Sequence, residues 1–147
     1  MSHSLLKLRI LLIEDDARRI EQFRAWLAAT EFVPIEAKSA GRAMGMLRKG
    51  MTDGIGGICL DNDLQKQPVT DAERSLSGAD LIQAIAHSVP RTVPILIHSG
   101  HATQPAVMER RLVGAGFSVT RIPMFQLSHE AFAAWLEEVR DNWDGGE

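Results

Sequence analysis

Short apolar runs alternate with amphipathic segments along almost the whole chain. Five of these runs are typical of buried strands, and they cover residues 8–13, 33–38, 58–60, 94–99 and 117–122. Each run is followed by a segment whose apolar residues recur at helical spacing. An alternation of strands and helices predicts a parallel β-sheet with helices on both of its faces. The sequence therefore predicts an α/β protein.

The predicted helices carry caps and an apolar stripe that would face the core. Asp16 and Ser39 each precede a helical segment, where a side-chain oxygen can accept a hydrogen bond from a free backbone N–H. Gly50 is expected to end the second helix. In the first and last helices, about residues 17–29 and 130–142, the predicted packing residues are Ile20, Phe23, Leu27, Phe132, Trp135, Leu136 and Val139.

Two stretches interrupt this pattern. The segment from Gly54 to Gly57 is expected to break the chain before the third strand, because glycine weakens a strand. A polar stretch at residues 65–77 follows the third strand and is long for a connection in this kind of fold. We predict that this stretch is either a lid or substrate-contacting loop, or an insertion that the fold tolerates.

Composition limits the classes of protein to which the chain can belong. Its 147 residues, 45% of them hydrophobic, predict one domain over residues 1–147 with a core at about 8–139. The net charge is −3 and basic residues form no long run, which argues against a nucleic-acid surface. No apolar run approaches the ~20 residues of a membrane span, and the first residues lack a signal-peptide pattern. The single cysteine, Cys59, cannot form an internal disulfide, so a cytoplasmic location is expected.

Two of the predicted strands end in carboxylates. Glu14, Asp15 and Asp16 follow the first strand, and Asp61 and Asp63 follow the third. In open parallel sheets the site lies beyond the carboxyl ends of the strands, where these acids would meet. Clustered carboxylates need a counter-charge, and a divalent cation such as Mg²⁺ supplies it and attracts phosphate. We predict Asp15, Asp61 and Asp63 as metal ligands, with Asp61 also able to attack phosphorus or to act as a base.

The fourth and fifth strands end in further candidates. His98 and Ser99 close the fourth strand and His101 follows in the loop; a hydroxyl there can bind a phosphoryl oxygen and an imidazole can act as acid or base. We predict His98 as a catalytic residue and Ser99 and His101 as phosphate ligands. The alternatives are a core packing role for His98 and simple exposure for His101. Arg121 on the fifth strand either binds phosphate or points to solvent.

With these residues in place, the chain resembles a response-regulator receiver domain over residues 8–139. In that family the first strand ends in an acid pair that binds Mg²⁺, matched here by residues 14–16. The third strand ends in the phospho-accepting aspartate, matched by Asp61, and the fourth in Ser or Thr, matched by Ser99. The resemblance implies a flavodoxin-like (βα)5 fold with the strand order 2-1-3-4-5 and a histidine kinase as partner.

One position departs from the receiver pattern. The fifth strand of a receiver ends in Lys-Pro, and the lysine contacts the phosphoryl group. Here Ile122 precedes Pro123. This departure argues against ordinary phosphorelay signalling.

A second resemblance is closer, and it is to the cyclic-phosphate-processing receiver domains. Their Asp-x-Asp-Leu signature is matched by residues 61–64, and their His-Ser-x-Asn-like signature by residues 98–101, with His101 in place of Asn. This resemblance implies metal-assisted opening of a cyclic phosphate in a phosphorylated small molecule. The leading hypothesis is therefore a Mg²⁺-dependent enzyme with Asp61 and His98 as catalytic residues. The alternatives are a stand-alone receiver phosphorylated on Asp61 and a degenerate receiver that only binds a protein partner.

Overall fold

The computed structural model describes residues 8–50, 54–61, 78–99 and 107–143. Within these ranges, five parallel strands form one sheet in the order β2-β1-β3-β4-β5. The strands are β1 (Arg9–Ile13), β2 (Val33–Ala37), β3 (Ile55–Asp61), β4 (Ile95–Ser99) and β5 (Val119–Pro123). The helices are α1 (Ala17–Ala28), α2 (Ala40–Arg48), α3 (Gly78–Ser88), α4 (Val107–Gly114) and α5 (His129–Trp143), and a short 3-10 helix (Met124–Gln126) follows β5. The predicted α/β class and strand order are confirmed.

Two apolar clusters cover the two faces of the sheet. Buried residues on the α1/α5 face are Ile10, Leu12, Phe23, Leu27, Phe32, Cys59, Leu96, Phe132, Trp135, Leu136 and Val139. Buried residues on the α2–α4 face include Leu11, Ile13, Ala43, Met44, Leu47, Ile58, Leu60, Leu81, Ile82, Ile85, Ile95, Ile97 and Leu112. Because strand side chains alternate between faces, consecutive residues of β1 belong to different clusters. The apolar stripes predicted for the first and last helices are confirmed.

The predicted helix ends agree with the observed ones. The carboxylate of Asp16 accepts hydrogen bonds from the backbone N–H groups of Arg18 (2.8 Å) and Arg19 (3.3 Å) at the start of α1. The hydroxyl of Ser39 accepts one from the N–H of Arg42 at 3.1 Å, which caps α2. After α2 the chain turns at Gly50, whose φ of 75° is a conformation that glycine adopts without strain. Local capping chemistry therefore sets these boundaries.

The prediction that the segment from Gly54 to Gly57 breaks the chain was wrong for most of that segment. Gly54 forms a turn, but β3 begins at Ile55 and runs through Gly56 and Gly57. The reason lies in α5, which crosses this part of the strand closely. A Cβ atom on Gly57 would lie 2.8 Å from Cη2 of Trp135 and 2.9 Å from Cγ2 of Val139. These glycines therefore let a helix approach the sheet.

Each edge strand of the sheet contains a proline. Pro34 lies in β2 and Pro123 at the end of β5. Because Val33 donates its N–H to Leu8, the alternation of the strand turns the nitrogen of Pro34 away from β1. Proline lacks an N–H group, and an edge strand tolerates it where no bond to the neighbouring strand is required.

The remaining boundaries lie within a few residues of those predicted. β5 starts at Val119 rather than at residue 117, because Phe117 packs into the core of the α2–α4 face ahead of the strand. The polar stretch at residues 65–77 lies outside the described residues, and its two proposed roles stay predictions. Among the helices that the structure describes, none has the length and hydropathy needed to cross a bilayer.

Candidate functional site

Strand alternation brings three polar side chains to one edge of the sheet on the α1/α5 face. Glu14 follows β1, Asp61 ends β3, and His98 lies opposite Asp61 in the register of β3 and β4. One candidate ligand atom from each side chain lies within 4.8 Å of the other two. All three residues are at most 1% exposed. They form a buried cluster, the strand-end cluster, at the carboxyl ends of three adjacent strands.

Helix α1 covers the strand-end cluster with one aromatic and one cationic side chain. The ring centroid of Phe23 lies 5.2 Å from that of His98. Nη1 of Arg19 lies 4.0 Å from Oε1 of Glu14 and also 4.0 Å from Oδ2 of Asp61. Because these residues are four apart on α1, they share the helix face that packs on the sheet. The first turns of α1 therefore form one wall of the site.

The backbone at the start of α1 orients Glu14. The N–H of Asp16 donates a hydrogen bond of 2.9 Å to Oε2 of Glu14. The other carboxylate oxygen, Oε1, has Nε2 of His98 at 3.4 Å but accepts no hydrogen bond from any residue in the described ranges. A buried oxygen without a partner is costly, so Oε1 calls for a proton shared with a neighbouring group, for a positive charge or for a donor from a ligand.

The surroundings of Glu14 disfavour its ionised form. Burial raises the pKa of Glu14 well above its ordinary range, and the neighbouring carboxyl of Asp61 raises it further. The N–H of Asp16 and the guanidinium of Arg19 act in the opposite direction without cancelling the rise. Burial also raises the pKa of Cys59, which lies on the same face, and the charge of Glu14 adds to that effect. Two adjacent buried carboxyls of this kind share a site that a cation would stabilise.

The donor set of the strand-end cluster fits a divalent cation. Carboxylate oxygens suit Mg²⁺, Ca²⁺ and Mn²⁺, and an imidazole nitrogen extends the range toward Mn²⁺ and Zn²⁺. Glu14, Asp61 and His98 would hold the ion, and Oε1 of Glu14 lies 3.4 Å from Nε2 of His98.

The structure brings together some of the predicted site residues and adds one. Asp61 and His98 lie in the strand-end cluster, whereas the neighbouring Asp15 is half-buried and does not belong to the group. Glu14 belongs to the acid run that the receiver resemblance links to Mg²⁺, but it was not among the three residues predicted as ligands. The alternation of strand side chains could have identified Glu14, because residues two apart lie on the same face of a sheet. Leu12 and Cys59 both lie on the α1/α5 face, so Glu14 and Asp61, two residues after them, lie there too. The role of Asp15 in binding metal stays a prediction.

Three other predicted site residues lie beyond what the structure describes. Asp63 and His101 are outside the described ranges, and so is the side chain of Ser99, whose backbone ends β4. Their predicted roles as metal or phosphate ligands therefore stay predictions.

Arg121 is not brought to the strand-end cluster. It pairs in register with Ile97, which packs on the α2–α4 face, and its Nη1 lies 3.8 Å from Oε1 of Glu109 on α4. Its neighbour Ile122 lies opposite His98 and packs against the α1/α5 cluster. The side of β5 that faces the cluster thus offers an apolar group where the receiver pattern has a lysine.

Comparisons with known proteins agree with this fold. The chain matches no protein-family model and no curated protein sequence. It is similar to the N-terminal domain of a response regulator/sensory box/GGDEF protein from Carboxydothermus hydrogenoformans, with TM-score 0.68, 17% identity, and coverage of 95% of this chain and 99% of that one. It is also similar to a CheY-like receiver domain from Methanospirillum hungatei, with TM-score 0.68, 15% identity, and coverage of 93% and 97%.

A third similar structure carries a metal ion. It is the receiver domain of a sensor histidine kinase from Pseudomonas aeruginosa, which holds a magnesium ion in its active-site cleft. The TM-score is 0.63 at 18% identity, and the match covers 88% of this chain and 94% of that one. Likeness at this level of identity establishes the fold alone. The chain therefore adopts the fold of response-regulator receiver domains, and its strand-end cluster could bind a metal ion.

Proposed function

We propose that this protein is a receiver that accepts a phosphoryl group on Asp61 in the presence of a divalent cation. The observation that carries the proposal is the convergence of Glu14 and Asp61 at the carboxyl ends of adjacent strands. Asp61 ends the central strand β3, where the strand order reverses and ligands bind in open α/β sheets. A bound cation would supply positive charge that neutralises the carboxylates and the phosphoryl oxygens.

The proposed step is a nucleophilic displacement at phosphorus. A carboxylate oxygen of Asp61 forms a bond to the phosphorus of a phosphodonor, and the bond from phosphorus to the leaving group breaks. The leaving group takes the bonding electrons, and the product is an acyl phosphate on Asp61. The hydrogen bond from the N–H of Asp16 keeps Glu14 beside Asp61, so that both carboxylates face the same ligand. The partner proposed as phosphodonor is a histidine kinase.

Intact-mass spectrometry after incubation with acetyl phosphate tests this proposal. The protein is expected to gain the mass of one phosphoryl group with Mg²⁺ or Mn²⁺ and to gain none with EDTA. Asp61→Asn is expected to abolish labelling, because an amide is not a nucleophile for phosphorus. Asp141→Asn, on the exposed side of α5, serves as the matched control and should label like the wild type. A folded wild type that stays unlabelled with cation present would overturn the proposal.

A second candidate is the metal-assisted hydrolysis of a cyclic phosphodiester. The observation that favours it is the buried imidazole of His98, whose Nε2 lies 3.4 Å from Oε1 of Glu14. In this reaction a water oxygen bonds to phosphorus while one ring P–O bond breaks. His98 takes a proton from the water and returns it to the leaving oxygen, which gives a phosphomonoester. The apolar Ile122 agrees with this candidate, because at that position of β5 the receiver pattern has the lysine that contacts the phosphoryl group.

Phosphorus-31 NMR distinguishes the two candidates in one sample. The substrates are a 2′,3′-cyclic nucleotide, a cyclic phosphate of ADP-ribose and acetyl phosphate. Conversion of a cyclic resonance to a monoester, lost in His98→Gln, would establish the hydrolase. Consumption of acetyl phosphate alone, with labelling of Asp61, would establish the receiver. Absence of both reactions together with no divalent-cation binding would favour a module that only binds a protein partner.

A further inference from the structure

The strand-end cluster contains two carboxylates, and one cationic side chain of α1 reaches both of them. Nη1 of Arg19 is 4.0 Å from Glu14 and 4.0 Å from Asp61, so the guanidinium lies between the two acids. These distances are at the long limit for an ion pair. They indicate that Arg19 lies near both carboxyl groups and is not bound tightly to either of them.

The guanidinium of Arg19 keeps donors that a ligand could use. Its side chain is 21% exposed, whereas those of Glu14 and Asp61 are at most 2% exposed. No residue in the described ranges accepts a hydrogen bond from its guanidinium, although its backbone N–H is bonded to Asp16. Arginine presents five N–H groups in a planar fork that matches the oxygens of a phosphate. The side chain is thus both near Asp61 and able to bind an anion there.

Three other arginines in the described ranges do not pair with the cluster. Arg121 of β5 is on the opposite face of the sheet with Glu109, and Ile122 occupies the side that faces the cluster. Arg24, one turn beyond Arg19 on α1, pairs with Glu36 of β2. Arg18 is exposed and forms no ion pair with the cluster. Arg19 of α1 thus brings positive charge to within 4.0 Å of Asp61.

We propose that Arg19 is the phosphate-binding cation of this site and donates hydrogen bonds to the phosphoryl oxygens on Asp61. The inference rests on the proposed function, since it names the residue that holds the group Asp61 accepts. A phosphoryl group on Oδ2 of Asp61 would bring its oxygens within reach of a guanidinium that is already 4.0 Å from that atom. A charge-assisted bond there would replace the contact that a lysine on the fifth strand makes in the receiver pattern.

The test compares Arg19→Ala, Arg19→Lys and Arg18→Ala, all in the full chain. The measured quantity is the initial rate at which acetyl phosphate labels the protein with Mn²⁺ present, followed by intact mass. Arg19→Ala is expected to label on the order of a hundredfold more slowly, as when one anion-stabilising donor is removed from an active site. Arg19→Lys is expected to keep part of the rate, because it retains the charge but not the planar fork. Arg18→Ala removes the neighbouring charge on the same helix and should leave the rate unchanged.

A second measurement separates anion binding from a structural effect. Fluorine-19 NMR follows the binding of beryllofluoride, a mimic of the phosphoryl group, at constant Mn²⁺. Arg19→Ala is expected to weaken that binding while its thermal unfolding and its Mn²⁺ affinity stay close to those of the wild type. If Arg19→Ala does not fold, Arg19→Lys and Arg19→Gln decide the question, because both keep the long stem that packs on the sheet.

These experiments separate failure of the role proposed for Arg19 from failure of the proposed phosphorylation of Asp61. A wild type that labels, with Arg19→Ala labelling at the same rate, overturns the role of Arg19 and leaves the receiver proposal intact. Equal losses in Arg19→Ala and Arg18→Ala also overturn it, because the effect would then come from net charge. A wild type that does not label overturns the receiver proposal and this role with it.

Discussion

The two faces of the sheet differ in what they bury. In the described ranges, the α2–α4 face is packed almost wholly by aliphatic side chains, whereas the α1/α5 face combines Phe23, Phe132 and Trp135 with the strand-end cluster. Burying polar groups beside aromatic rings costs stability unless they are paired. The difference teaches that the α2–α4 face contributes apolar burial alone, whereas the α1/α5 face also buries polar groups whose cost a bound cation would offset.

The largest expected effect on stability comes from a substitution that would create a cavity in the core of the α2–α4 face. Ile85 of α3 is fully buried there, and Ile85→Ala is expected to lower the free energy of unfolding by about 2–5 kcal/mol. Denaturant unfolding measures the loss, and titration with Mn²⁺ measures binding by the protein that remains folded. We expect unchanged Mn²⁺ affinity, because Ile85 lies on the face opposite to the cluster. A large loss of Mn²⁺ affinity would contradict the inference that packing on the α2–α4 face does not affect metal binding on the α1/α5 face.

A smaller effect is expected from overpacking the α1/α5 face. In Gly57→Ala the new methyl group would meet Trp135 and Val139 below 3.0 Å, which should destabilise the protein by about 1–3 kcal/mol. Gly45→Ala in α2 is the matched control, since a Cβ there meets nothing within 4 Å. The control is expected to be neutral or slightly stabilising, because alanine favours helix more than glycine does. Equal unfolding midpoints for the two variants would contradict the close approach of α5 to β3.

Replacing the ionisable Glu14 by an amide should reveal how much stability the buried carboxyl costs. The pKa of Glu14 is raised in the folded protein, so above its unfolded value of 4.5 the folded state keeps a proton that the unfolded state has released. The free energy of unfolding should therefore fall as the pH rises from 4.5 toward the folded pKa of about 9, by at most about 1.4 kcal/mol per pH unit. Glu14→Gln cannot ionise and should be more stable than the wild type at neutral pH in EDTA.

Adding a divalent cation to Glu14→Gln tests whether Glu14 is a metal ligand. Thermal unfolding of the wild type is expected to shift upward with Mn²⁺, because a ligand that binds the folded state stabilises it. Glu14→Gln should lose most of that shift. A variant that is less stable in EDTA, or that keeps the full Mn²⁺ shift, would contradict the assignment of Glu14 as a ligand.

The smallest expected effect lies on the surface. Arg140 of α5 donates two hydrogen bonds to Glu31, at 2.7 and 2.9 Å, and its guanidinium lies 4.9 Å from the ring centroid of Phe32. The hydrogen bonds from Arg140 are the largest cause that lowers the pKa of Glu31. Their contribution is present above the unfolded pKa of this carboxyl and is lost as the pH falls through the folded one. Because the pair is exposed, Glu31→Gln should cost less than about 1 kcal/mol, measured against Glu21→Gln on α1.

The sequence predicted those features that depend on local pattern. Asp16 and Ser39 cap their helices as expected, because capping involves residues two or three positions away. The buried stripes of α1 and α5 followed from helical spacing alone. The edge of the sheet at which Asp61 and His98 meet followed from the topology of parallel strands, which the alternation of elements predicts.

Features that depend on a distant partner were not predicted. The two glycines inside β3 look like a break in the chain until α5 is placed above them. Arg19 looks like one of a pair of surface arginines, since nothing in its neighbours along the chain reveals Asp61 beneath it. Glu14 rather than Asp15 belongs to the strand-end cluster because the alternation of side chains in β1 continues for one residue beyond Ile13.

The prolines of the two edge strands have a consequence beyond the single chain. The open sides of β2 and β5 each present unpaired backbone groups to which a strand of another molecule could add. Pro34 removes a donor from the outward side of β2, and Ser118, whose carbonyl bonds to Ile95, indicates by alternation that the nitrogen of Pro123 is also directed outward. A strand that paired with β2 or β5 from outside would lack one backbone hydrogen bond, because proline has no N–H group. The two prolines therefore disfavour the addition of a strand from another molecule at either side of the sheet.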